Sequence, residues 1–231
     1  MRCLHVVLLL TLSGLSACEE ASEEQPVDPC QVDAQVSAPE TIAQVVDLIN
    51  ALPKPLELGC FLRSLQRPLY LDTSTGFISA QPGPFERSPR ILIVRDELVL
   101  SVVPEGDGKT LLEMSELDAS SQRSLKGEVK FPILSAIGPM KPYEDIMLFG
   151  SLSSCGFCHL EEQPHPSIPG AFVSRALRPI EFDRVPLETL RAHANTCDAV
   201  AEPYRCAVLE GIFGQGEVFD GALPDDVPTI E

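Results

Sequence analysis

Apolar positions along this chain change their period twice. Residues 6–12 form an apolar stretch broken only by Thr11, too short to span a bilayer as a mature helix. Beyond an acidic stretch, Ile42, Val45, Val46, Ile49 and Leu52 recur three and four apart, which predicts one amphipathic helix. Ser37-Ala-Pro-Glu40 precedes it with capping-box spacing, Ser37 capping and Glu40 reaching back, and Pro53 and Pro55 stop it. A second short helix is expected to carry Cys60, Leu62 and Leu65. From Leu69 the period falls to that of strands, with candidates at 70–71, 77–78, 90–94, 97–103, 110–114 and 124–131. Arg95-Asp96 reads as a hairpin bend and Pro104-Glu-Gly-Asp-Gly108 as a turn. Residues 143–149 read as a last strand, 161–170 as a proline-rich loop and 172–177 as a strand or helical turn. Helical spacing then returns: Leu187, Leu190, Ala194 and Cys197 share a stripe after Pro186. Cys206, Leu209 and Ile212 follow Pro203, with Gly214 as the C-cap.

These elements predict an α+β fold: an N-terminal helical pair (37–68), an antiparallel β core resembling a small sandwich (69–150), and a disulfide-braced helical region (151–216). An acidic tether (18–36) precedes them and a frayed acidic tail (217–231) follows. Asp96, Asp107 and Asp118 read as solvated turn acids, since their spacing matches no calcium loop.

Charge narrows the function. The formal charge is −17, and removing residues 1–17 deletes one Arg and no acid, leaving −18. That balance argues against nucleic acid and against charge-driven adhesion to anionic lipid. The apolar run, basic at its start, ends in Leu15-Ser16-Ala17-Cys18, which resembles the lipobox of bacterial lipoproteins. The resemblance implies cleavage before Cys18, acylation of that cysteine (diacylglycerol, palmitate-type chains) and a membrane anchor without a spanning helix. Glu19 in place of Asp implies sorting to the outer membrane in enteric-type export, facing the periplasm or the surface. The alternative, a secretory leader cleaved after Ala17, also exports the chain.

Eight cysteines then become six, because Cys3 leaves with the leader and Cys18 carries lipid. An even number in an oxidising compartment reads as paired or cofactor-bound. Order along the chain suggests Cys30–Cys60 and Cys197–Cys206, leaving Cys155 and Cys158. Those two stand in Cys155-Gly-Phe-Cys158-His159, a pattern that, over five residues, resembles the haem-attachment site of c-type cytochromes. The resemblance implies two thioether links to one haem and His159 as the proximal iron ligand. Three other readings stay open: a third disulfide, an exchange-active dithiol like that of thioredoxin-like proteins, and a zinc site completed by His165 or His193.

The distal face of such a haem lacks the expected ligand, because no Met follows Met147. His193, on the helix that carries Cys197, is the first choice. His165 lies between prolines close to His159, Met140 precedes the motif, and Met114 and Met147 read as core. Gly-x-Ser-x-Gly, His-Glu-x-x-His and phosphate-loop motifs are absent, so catalysis has little support. The leading expectation is a membrane-anchored monohaem c-type electron carrier with a redox protein as partner. The competing classes are a non-catalytic, disulfide-stabilised envelope or binding module and a thiol–disulfide oxidoreductase using Cys155 and Cys158.

Overall fold

The computed structural model describes residues 28–76, 79–118, 121–149, 152–159, 161–223 and 229–230. The leader, the lipobox with Cys18, most of the tether and the strand expected at Phe77-Ile78 lie outside them. In chain order the elements are α1 (Ile42–Ala51), α2 (Leu58–Ser64), β1 (Leu69–Ser74), β2 (Arg90–Arg95), β3 (Leu98–Val102), β4 (Leu111–Asp118) and β5 (Arg123–Lys130). Then come α3 (Lys141–Ile146), β6 (Met147–Phe149), β7 (Leu152–Ser153), β8 (Gln163–Pro164), β9 (Phe172–Ser174) and β10 (Ala176–Leu177). The chain continues through α4 (Leu187–Asn195), α5 (Pro203–Phe213), β11 (Val218–Asp220) and β12 (Thr229–Ile230). Among the described residues no helix is long and apolar enough to cross a membrane.

The fold is α+β, built on an eight-stranded sheet in the order β11-β1-β2-β3-β4-β5-β9-β8. Every pairing in that sheet is antiparallel except β11 against β1. The expected antiparallel core is thus one sheet. Its second layer is helical on one face and made of crossing loops on the other. Strand alternation explains the helical layer: Ile91, Ile93, Leu98, Leu100, Leu112 and Leu125 all project to one side. There they share one cluster with Val45 and Ile49 of α1, Phe61 and Leu62 of α2, Leu190 of α4, and Leu209 and Ile212 of α5. Phe61 and Phe131 meet at its centre with rings 5.7 Å apart.

The two disulfides form as expected, Cys30–Cys60 and Cys197–Cys206. The first ties the end of the tether to α2, and Val32 and Val36 already pack against the core. Helices α2 and α5 approach unusually closely. A Cβ on Gly59 would lie 2.6 Å from the Ala207 carbonyl oxygen, and one on Gly211 would lie 2.4 Å from that of Gly59.

Three local expectations change. The first helix begins at Ile42: Thr41 caps it, its Oγ1 accepting from the Gln44 N–H at 3.2 Å, while Gln44 Oε1 accepts from the Glu40 N–H at 2.6 Å. The capping pattern recurs four residues after Ser37, and Ser37 instead donates to the Ala34 carbonyl. The strand expected over 143–149 is mostly helix α3, because Pro142 suits a first helical turn and Tyr143 and Ile146 bury at helical spacing. The tail is not frayed throughout: Val218 is buried, and β11 pairs with β1 from Leu69↔Val218 to Leu71↔Asp220.

The α2–α5 contact yields a prediction. Gly211→Ala forces two helix backbones apart and should cost about 1–3 kcal/mol in urea denaturation, as overpacking typically does. An unchanged midpoint would mean that the crossing relaxes freely.

Candidate functional site

The same alternation that fills the helical layer sends Arg90 and Leu92, Val99 and Ser101, Glu113 and Ser115, and Lys126 to the opposite side of β2–β5. This face is mixed rather than apolar, and its charges are internally partnered. Arg90 pairs with Glu113 and donates from Nε to Ser101 Oγ at 2.8 Å. Ser101 Oγ donates at 2.9 Å to Oε1 of Gln81, which is fully buried. Lys126 is 3% exposed, and its Nζ donates to Ser124 Oγ at 3.1 Å and to Ser115 Oγ at 3.3 Å. Burial pushes its ammonium down to about 8.

Over this floor lies the segment carrying Cys-x-x-Cys-His. Residues Ser154–Phe157 form a single 3₁₀ turn capped by Ser153, whose Oγ accepts from the Cys155 N–H at 3.1 Å. The Cys158 and His159 N–H groups both return to the Cys155 carbonyl, at 3.1 and 2.9 Å. Glu162 holds the turn from outside: its carboxylate accepts the Ser153 N–H at 3.0 Å and the Ser153 hydroxyl. A Cβ on Gly156 would lie 2.6 Å from that carboxylate, so the turn and the Glu162 side-chain end are in close contact. Strand β9 hydrogen-bonds to β5 and brings Arg175 alongside, where its carbonyl lies 2.8 Å from His159 Nδ1. A carbonyl only accepts, so Nδ1 carries the proton and the Nε2 lone pair is left available.

Floor and cover enclose a cavity of about 510 Å³, lined by Cys155, Cys158 and His159 together with Leu92, Val99, Leu177, Ile180 and Leu223. Neither Cys155 nor Cys158 is in a disulfide. Burial pushes the Cys155 thiol up to about 11, with Lys126 opposing that shift, so this thiol is the reverse of an activated one. No α-helix follows the turn to lower it. Burial, reinforced by the charge of Lys126, holds the His159 imidazole down at about 3, and the ring is neutral throughout the physiological range.

The structure therefore brings Cys155, Cys158 and His159 together and leaves the other candidates elsewhere. His193 lies on α4, in the layer across the sheet, and does not line the cavity. His165 is engaged in its own loop, Nδ1 accepting from the Ser167 and Ile168 N–H groups at 3.1 and 3.0 Å. Met114 stands in the cavity floor but its side chain belongs to the helical-side core, Met140 packs against that core, and Met140 and Met147 line a separate depression. Among the described residues no three His, Cys, Asp or Glu side chains converge as a metal cage, which leaves the zinc arrangement without geometric support. Glu162, Lys126 and the Arg90–Glu113 pair were not singled out in the sequence. No protein-family model, curated protein or solved structure matches the chain.

Glu128, opposite Glu113 in the β4–β5 register, gives a test of the buried charge on this face. Burial, with Glu113 and Asp145 nearby, raises its carboxyl from 4.5 to about 7. The folded state then binds the proton more readily than the unfolded one, so this group adds stability as pH falls from about 7 towards 4.5. Glu128→Gln should be more stable than the parent near pH ~8 and converge with it near pH ~5 in urea titrations. A pH-independent difference would refute the assignment.

Proposed function

We propose that this chain is an exported lipoprotein, anchored through an acylated Cys18, that carries one haem c on Cys155 and Cys158 and serves as a one-electron carrier. The observation that supports it most is the convergence of two unpaired thiols and a carbonyl-oriented neutral imidazole on one cavity. Its volume of about 510 Å³ falls within the range of roughly 300–1,000 Å³ that holds small molecules and cofactors.

The residues fit the group. Each thiol would add across one vinyl double bond, sulfur bonding to the inner carbon and the thiol hydrogen passing to the terminal one, so nothing is oxidised or reduced. His159 Nε2 would face the iron while Nδ1–H stays on the Arg175 carbonyl. Ser153 and Glu162 hold the turn, and Leu92, Val99 and Leu223 keep water from one wall. Haem bound there supplies reversible one-electron chemistry at iron. Phe157, between the two thiols in sequence, is 74% exposed and puts the attachment turn at the surface, where a redox protein partner would meet it. The lipid anchor and the outer-membrane destination rest on the lipobox alone.

One observation favours a second reading. The floor of the cavity carries Arg90, Glu113 and Lys126, polar anchors suited to a reversibly bound ligand in a disulfide-stabilised envelope module.

The test is expression of the exported chain in a host with c-type maturation, with Cys155→Ala/Cys158→Ala beside it. The expected result is sharp reduced-minus-oxidised haem bands, the added mass of one haem, and four cysteines alkylated after reduction rather than six. The double variant should lose the bands and the added mass; with both motif cysteines replaced it has four cysteines to alkylate in any case. A colourless parent, where a control cytochrome matures, would leave the binding-module reading.

A further inference from the structure

The haem reading leaves the second axial position unassigned, and the cavity itself names a candidate. We propose that Lys126 would supply it through Nζ; this rests on the haem reading above. His159 comes from the loop cover and Lys126 from the sheet floor, and both line the same space.

Other donors near the cavity are committed. The Met114 side chain packs in the core on the far face of the sheet. The Glu113 carboxylate is paired with Arg90. Asp183 lies in the short 3₁₀ turn of 181–183 at the edge of the lining and is a hard oxygen donor. Among the described residues Lys126 Nζ, by contrast, has the hydroxyls of Ser115 and Ser124 as its hydrogen-bond partners and no carboxylate. A neutral amine keeps two N–H donors for those hydroxyls while its lone pair points away from them. Those hydroxyls also bond to each other, which pins the pair beneath the amine. Nothing in the packing core requires a lysine at this position. A fully buried cation with no carboxylate partner in hydrogen-bond range is costly, and a cofactor that takes the lone pair gives it a reason to be there.

The experiment uses the mature holoprotein from the maturation host. Visible and electron paramagnetic resonance spectra are recorded for the parent, Lys126→Gln and Lys126→Ala, each verified by mass to carry haem. The parent should be six-coordinate and low-spin. Both variants should become largely high-spin and bind added imidazole at least tenfold more tightly, because no internal ligand has to leave. Lys126→Gln keeps a polar side chain only one atom shorter, so its change of spin state separates ligation from the larger packing defect of Lys126→Ala. A haem-bearing parent that is already high-spin overturns the assignment without any variant. Haem-bearing variants with the parent's spectrum and imidazole affinity overturn it as well. A parent with no haem overturns the underlying function instead, an outcome that its mass and colour distinguish at once.

Discussion

Charged groups on the inner floor of a sheet have to be partnered before anything else in this molecule can be settled. Arg90, Glu113 and Lys126 sit on β2, β4 and β5, and the second sheet face that holds them is covered by loops rather than left in water. Burying such charges alone would cost several kcal/mol per group. The Arg90–Glu113 pair and the serines at 101, 115 and 124 offset much of that, and they do so through fixed directions rather than area. The cover is consequently specified in place: β9 pairs with β5, and the chain crosses the face instead of hanging beside it. The cavity is what remains between a floor of partnered charges and a cover tied to the sheet through β9.

The helical layer is built by a different kind of force and does a different job. Its cluster is apolar throughout and draws on nearly every helix, so it fixes the sheet as a platform. The two disulfides belong to this side, one pinning the tether's end to α2 and the other spanning the α4–α5 connection. Among the described residues the cysteines that remain unpaired are the two on the other face. The bridged sulfurs thus lie on one layer and those of Cys155-x-x-Cys158 on the other.

What could be read from residues alone follows the range of the interactions involved. Helix α1, the β2–β3 hairpin and helices α4 and α5 announce themselves because period and punctuation are local signals. The two disulfides were legible because adjacent cysteines exhaust one another and isolate the central pair. The motif Cys155-x-x-Cys158-His159 was legible as chemistry, but its surroundings were not. Glu162 reaches the turn through a fold-back, Arg175 arrives by a strand pairing, and Lys126 is distant in the chain. In a linear reading Lys126 is one more polar residue on an alternating strand, and nothing there says that its face is enclosed. His193 fails for the same reason in reverse: helical spacing places it on a helix without saying which side of the sheet that helix occupies. The misjudged tail has a similar cause, since Val218 finds its partner at Leu69, across most of the chain.

The walls of the cavity run from Ser74 to Leu223 in the chain, while the attachment turn is a local 3₁₀ loop. The turn rests on hydrogen bonds a few residues apart, whereas the walls need contacts that close most of the chain, where the loop-closure cost is greatest. Damage to the distant walls can therefore open the cavity while the turn keeps its own hydrogen bonds.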